Sequence, residues 1–256
     1  MALPAPSTTG CVWITGASSG IGAALALELV GRGYRVAASA RDARDLEALA
    51  AQAPRGAIAS FPLDVTNHAA VLETAAAIEA GCGTILGAVF CAGTFRPIAA
   101  DGFDAMAADK QVAVNLGGVL HPLEPLLATM LARGSGHIAI VASLTSHFGL
   151  PGAGVYGATK AALVNLGEAL HVECRERGVT VQVVNPGFVD TPLTARNDFP
   201  MPFLVPVGKA ARIIAQGLGG DRFEIAFPWQ MAWAMRLLAL LPRRLAFAIT
   251  RRMVRR

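Results

Sequence analysis

Tyr156 and Lys160 stand four residues apart, and Ser143 lies thirteen residues before the tyrosine. On a helix, positions i and i+4 share one face, so the lysine ammonium can sit beside the phenol. An opposite charge favours the phenolate and can lower its pKa from about 10 toward neutrality. Tyr156 is then a proton donor and acceptor near pH 7. Ser143 offers a hydroxyl to hold the oxygen of a reacting carbonyl. Upstream runs Thr15-Gly16-Ala17-Ser18-Ser19-Gly20-Ile21-Gly22. The spacing of Gly16, Gly20 and Gly22 makes a tight turn that lets a helix N-terminus and its free N–H groups approach a pyrophosphate. A proton relay behind a dinucleotide turn describes hydride transfer between a carbonyl and an alcohol.

Such residues need a scaffold that brings distant segments to one edge. Apolar runs at 11–15, 34–40, 57–63, 84–90, 136–142 and 179–185 read as buried strands, and 21–30, 44–52, 69–80, 109–132 and 155–177 read as helices. Strands alternating with helices predict a single α/β domain with a doubly wound, Rossmann-type parallel sheet. Its ligands bind beyond the carboxyl ends of the strands. The glycine turn, Asp64, Cys91-Ala92-Gly93, Ser143 and Pro186-Gly187 each follow a predicted strand.

In this order these residues closely resemble the short-chain dehydrogenase/reductase family. The matching pieces are Thr15 to Gly22, Asp64-Val65, Cys91-Ala92-Gly93, Asn115, Ser143, Tyr156 with Lys160, and Pro186-Gly187 followed by Thr191. The resemblance implies an NAD(P)-dependent oxidoreductase whose catalytic residues are Asn115, Ser143, Tyr156 and Lys160. Asn115 would hold a water on its backbone carbonyl, and Lys160 would bond the nicotinamide ribose. Gly16, Ser18, Ser19, Gly20, Ile21 and Gly22 would cradle the pyrophosphate. Asp64 would accept from the adenine amino group, with Val65 beside it, or would cap the helix that follows. Cys91, Ala92 and Gly93 would flank the adenosine ribose, Cys91 replacing an asparagine at a modest cost in stability. Pro186, Gly187, Val189 and Thr191 would hold the nicotinamide. The position that discriminates NAD from NADP falls on Ala40, with Arg41 next. An acid there would bond the ribose 2′-hydroxyl, whereas Arg41 suits a 2′-phosphate, with Ser39 able to add a hydroxyl. NADP is favoured over NAD, although Ser18-Ser19 lacks the basic residue many NADP-using relatives carry. The same resemblance implies a homodimer or homotetramer through the two long helices, with Ala162, Leu166, Ala169 and Leu170 on the outer face of the second. The intact set of four disfavours a catalytically silent dinucleotide binder. The short chain and apolar lid disfavour epimerisation or dehydration of nucleotide sugars.

Composition narrows the rest. The four cysteines show no paired or metal-ligand spacing, and the five histidines no metalloenzyme pattern. Buried free thiols in a reducing cytoplasm, and no metal, are expected. Residues 1–9 read as a short, loosely held leader, not a secretory signal. The net charge is +4, yet no acid follows Glu224 while seven arginines do. The basic balance therefore belongs to the tail and gives no reason to expect nucleic acid. Residues 190–208 are rich in proline and large apolar side chains and read as a lid over the substrate. His147, Phe148 and Leu150 are expected substrate walls, and an apolar carbonyl or alcohol is the expected substrate. The catalytic domain would span 1–228. Residues 229–256 would form a basic amphipathic helical extension. Leu245, Ile249 and Met253 make its apolar stripe, suited to peripheral membrane contact or to another subunit.

Overall fold

The computed structural model describes residues 2–254. Among them, seven parallel strands form one sheet: β1 (Gly10–Thr15), β2 (Val36–Ala40), β3 (Ile58–Pro62), β4 (Thr84–Phe90), β5 (Gly136–Val141), β6 (Val179–Pro186) and β7 (Glu224–Phe227). Their spatial order is β3-β2-β1-β4-β5-β6-β7. The helices are α1 (Gly20–Gly31), α2 (Ala43–Ala50), α3 (His68–Cys82), α4 (Ala105–Val112), α5 (Gly118–Arg133), α6 (Gly154–Arg175), α7 (Val207–Leu218), α8 (Trp229–Leu240) and α9 (Arg243–Thr250). One face of the sheet buries Leu25, Leu29, Leu46 and Ile214 from α1, α2 and α7. The other buries Ile78, Leu126, Met130 and Leu163 from α3, α5 and α6. Apolar residues on both faces are what a parallel sheet requires, and β1, β5 and β6 are buried along their whole length.

Strand order reverses between β1 and β4, which opens the crevice where such sheets bind ligands. The loops leaving these strands touch. A Cβ on Gly16 would lie 2.7 Å from the Ala92 backbone, so glycine is what lets the two loops meet.

Several elements differ from the sequence expectation. β7 was not expected, because four residues before a proline are too few to show a period. α7 occupies residues that had been left unassigned or given to the lid. It is strongly amphipathic and buries Ala210, Ala211 and Ile214. The helix expected over 109–132 is two helices, α4 and α5, joined by a π-helical turn at Ala113–Gly117. The leader is not loose. Leu3 is buried, and its N–H donates to the Leu218 carbonyl at 2.8 Å. Leu166 and Leu170 pack partly against the core, Ala169 is exposed as expected, and Val172 is an exposed large apolar residue of α6.

A buried polar pair ties β5 to β6. Gln182 donates through Nε2 to the Gly217 and Arg222 carbonyls, so its Oε1 must accept from His137 Nε2, 2.8 Å away. His137 Nδ1 makes no hydrogen bond among the described residues. A second proton there would be a buried, unpaired charge, so burial pushes the imidazole down to about 4. A depressed folded value means stability is complete above the ordinary histidine pKa of about 6.5 and is lost as pH falls through about 4. Thermal denaturation should lose on the order of 3 kcal/mol across that interval from this residue alone. His137→Gln should flatten the profile, and an unaltered acid limb in that variant would refute the assignment.

Candidate active site

Ser143, Tyr156 and Lys160 converge at the carboxyl end of β5. Ser143 follows β5 directly, is buried, and its Oγ accepts from Thr145 N–H at 3.2 Å. Tyr156 and Lys160 lie in the first turns of α6. Lys160 Nζ is buried, donates to the Val141 carbonyl at 2.9 Å, and stands 5.6 Å from the Tyr156 ring centroid. No carboxylate pairs with it among the described residues. Burial therefore pushes the ammonium down to about 8. It also pushes the Tyr156 phenol up to about 12, against the opposing pull of the Ser143 hydroxyl. This corrects the expectation of a phenol lowered by its lysine. Tyr156 is held protonated, the state that donates a proton to a carbonyl oxygen.

Asn115 joins this cluster through its side chain, which the sequence did not foretell. The residue is fully buried at the centre of the π-helical turn. Its Oδ1 accepts from Thr94 N–H at 2.7 Å, and its Nδ2 donates to the Thr94 carbonyl and to Thr159 Oγ1. Thr159 Oγ1 in turn donates to the Tyr156 carbonyl at 2.7 Å. Asn115 thus clamps the loop after β4 to the turn of α6 that carries the tyrosine. Gln111 braces the same loop through both backbone groups of Arg96. The loop presents Phe95 edge-on to Tyr156, with centroids 5.1 Å apart. Thr94, Thr159 and Phe95 carried no sequence signal beyond closeness to Gly93 and Lys160.

The glycine turn and its neighbours form a cradle of the right chemistry for a dinucleotide. Gly16 and Gly20 have φ of 69° and 55°, and a Cβ on Gly22 would strike the Gly16 carbonyl. Ser19 precedes α1 without a capping hydrogen bond, and the first turn holds no acid. The helix N-terminus keeps its N–H groups for an anion, with Ile21 inside its first turn. Thr191 closes the other side, its Cβ 3.2 Å from where a Gly20 side chain would begin. Val189 bridges Val205, and its carbonyl accepts from the Thr194 hydroxyl. Gly93 leaves an open approach to Lys160, whose Nζ lies 3.7 Å from a Cβ built there. Cys91 is partly buried beside the lysine. Burial lifts its thiol to about 11, so it is unreactive at neutral pH.

The far end of the crevice is a shallow depression of about 480 Å³ lined by Ser18, Arg41, Asp42, Ala43 and Asp45. Arg41 is exposed there, whereas Asp42 is occupied by Arg44 and caps α2. Ser39 is not available. It is fully buried and accepts from the Trp13 indole at 2.9 Å. Asp64 does not cap α3, which Asn67 does. Its carboxylate accepts from the Thr66 N–H and hydroxyl, which hold it below the usual carboxylate range. Val65 is buried against Gly118, and its carbonyl meets His121 Nδ1.

Comparison with known proteins decides the lineage. Residues 10–199 match the family model described as short chain dehydrogenase. The chain belongs to the short-chain dehydrogenase/reductase family. An uncharacterized oxidoreductase of Myxococcus xanthus is 38% identical over 242 residues, covering 94% of this chain and 96% of that protein. A short-chain dehydrogenase structure from Streptomyces avermitilis superposes with a TM-score of 0.83 at 26% identity, covering 95% and 97% of the two chains. One from Burkholderia cenocepacia, solved in complex with NADP, superposes at 0.81 and 27%, covering 95% and 98%. As a member of this family the protein is an NAD(P)-dependent oxidoreductase.

Behind the loop that follows Ser143 lies a network that the sequence does not reveal. Glu224 of β7 accepts from Asn185 Nδ2 at 2.8 Å and pairs with Arg236 of α8. His147 Nε2 stands 3.6 Å from the same carboxylate. Phe148 is buried with Leu144, Met235, Leu238 and Ala246, and its ring meets Phe247. His147 and Phe148 are therefore not substrate walls. They anchor the loop after Ser143 to the C-terminal helices, while Leu150 is only partly buried against that cluster. In the stretch 190–208, Val205 is buried and Phe203 and Leu204 are exposed, so it is pinned at one end and open at its apolar tip. These bonds hold the Glu224 carboxyl at about 2. The stability they give is present above the ordinary glutamate pKa and is lost as pH falls through about 2. Glu224→Gln should cost about 1–3 kcal/mol and raise KM for a carbonyl while sparing NADPH affinity. Unchanged melting and KM would remove the network from the account.

Proposed function

We propose that the protein is an NADP-dependent oxidoreductase that interconverts a carbonyl and a secondary alcohol, acting on an apolar or lipid-like substrate in the cytoplasm. The observation that carries this is the convergence of buried Ser143 and Lys160 with half-buried Tyr156 beyond the carboxyl end of β5. The nicotinamide, when bound, gives or takes the hydride. In reduction, Ser143 holds the carbonyl oxygen and Tyr156 gives it a proton. Lys160 bonds the nicotinamide ribose and stabilises the resulting tyrosinate. The Asn115 clamp keeps tyrosine and loop in register, and its backbone carbonyl relays a water to the lysine. Gly16, Ser18, Ser19, Gly20, Ile21 and Gly22 hold the pyrophosphate, Asp64 and Val65 the adenine, and Cys91, Ala92 and Gly93 its ribose. Pro186, Gly187, Val189 and Thr191 hold the carboxamide end.

Arg41 supports NADP over NAD, since it is exposed beside Ser18 with no acid at Ala40. The NADP found in the Burkholderia relative supports the same choice. The apolar tip at Phe203 and Leu204 supports an apolar substrate covered by the 190–208 lid. Exposed Leu120 and Val172 on α5 and α6 support a homodimer or homotetramer. The expected extension 229–256 of the 1–228 catalytic domain is helical at Trp229–Leu240 and Arg243–Thr250, and the arginine-rich sequence 243–256 supports peripheral membrane contact. Arg255 and Arg256 lie outside the described residues. No helix among the described residues is long and apolar enough to cross a membrane.

Tyr156→Phe keeps the ring and removes the proton. Turnover should fall at least ~10²-fold with cofactor affinity nearly intact, and near-normal turnover would sink the mechanism. Arg41→Ala should weaken NADPH by about 10- to 150-fold, the worth of one charge-assisted contact, and leave NADH nearly untouched. Equal losses for both cofactors would make Arg41 structural.

A further inference from the structure

The helix α8 buries Ala232, Met235 and Leu238 against the loop after Ser143. Its opposite face is also apolar. Trp229, Trp233, Leu237 and Leu240 follow i, i+4, i+8 and i+11, which places them on one stripe. Their exposures are 68%, 56%, 58% and 82%. The stripe continues into α9, where Leu245, Phe247 and Ile249 are exposed and only Ala246 and Thr250 turn inward. Leu245, Ile249 and Met253, the expected apolar stripe, are thus exposed together with the arginines of this segment. Arg243, Arg244, Arg251 and Arg252 are all exposed there, and residues 225–254 contain no acid.

We propose that the α8 stripe of Trp229, Trp233, Leu237 and Leu240 is a docking face that inserts into an anionic lipid surface, with Arg243, Arg244, Arg251 and Arg252 on the headgroups. This deepens the reading of peripheral membrane contact and rests on it. It moves the apolar anchor from the tail to the helix that backs the catalytic loop. Tryptophan at the edge of an apolar face, flanked by arginine, suits a headgroup boundary. The charge selects lipid over a second copy. In a two-fold dimer through this face each partner would bring its own four arginines, and no acid, against the other's. Anionic headgroups complement both parts of the surface. Docked this way, the helix whose inner side packs on Leu144 and Phe148 separates lipid from the substrate loop by about one helix diameter, ~10 Å.

Native fluorescence tests this directly, because Trp13 is fully buried while Trp229 and Trp233 are exposed. Full-length protein should shift its emission to the blue with phosphatidylglycerol vesicles and not with phosphatidylcholine vesicles, and added salt should weaken the shift. Trp229→Ser with Leu240→Ser keeps Trp233 as a reporter. That variant should bind the anionic vesicles at least about tenfold more weakly and still turn over a small soluble carbonyl. Undiminished vesicle binding by it, with loss only on deleting residues 243–256, would overturn the α8 face and leave the tail contact standing. No binding by the full chain would overturn both. A blue shift that grows with protein concentration in the absence of vesicles, together with dimers in sedimentation that the double variant abolishes, would give the face to a second copy.

Discussion

One buried ammonium sets the terms for the rest of the site. Lys160 donates to the Val141 carbonyl, and among the described residues no carboxylate pairs with it. Such a charge is costly to bury. In the function proposed above, a bound ligand's hydroxyls would complete its shell and offset that cost. It lies at the end of β5, under Gly93, and beside a phenol that can receive its influence once ionised. The glycine at position 93 leaves the approach clear. The clamp of Asn115, Thr94 and Thr159 fixes the turn that carries both side chains. A carboxylate placed nearby would stabilise the lysine but remove its reason to hold a ribose.

The parts of the molecule that repeat a short pattern were legible in the sequence. Six of the strands show as apolar runs because both faces of the sheet are covered. The motif residues fall at strand ends because the topology sends every loop of that edge to the same crevice. What escaped depends on contacts across the fold. Nothing local marks Trp13 as the partner that takes Ser39, or Asn67 instead of Asp64 as the cap of α3. The π-helical turn leaves only a hint, a glycine pair after Asn115. Glu224 drew notice as the last acid in the chain, but its partners lie 12, 39 and 77 residues away. The balance between burial and charge at Tyr156 cannot be read from a spacing of four residues. It depends on how much water the completed fold excludes.

The C-terminal helices connect the site to the outer surface. Their inner sides complete the packing around Leu144 and Phe148, and Arg236 holds them to Glu224 and so to β7. Ser143 therefore sits on a loop braced from both sides, by β6 through the Pro186 carbonyl and by α8 through the core beneath it. A change in how α8 and α9 pack would be felt at Ser143 before it reached the cofactor cradle, which belongs to β1, β4 and α1.

The central claim is that Lys160 is a buried ammonium that pairs with no carboxylate among the described residues. The chain has only three lysines, Lys110, Lys160 and Lys209, so carbon-13 labelling of lysine side chains gives a spectrum simple enough to follow each by NMR. One resonance, absent in Lys160→Arg, should titrate near 8 in the free enzyme and move to higher pH when NADP binds. If no lysine titrates below 10 in the free enzyme, or if cofactor leaves the titration unmoved, the lysine is not the unpaired charge described here.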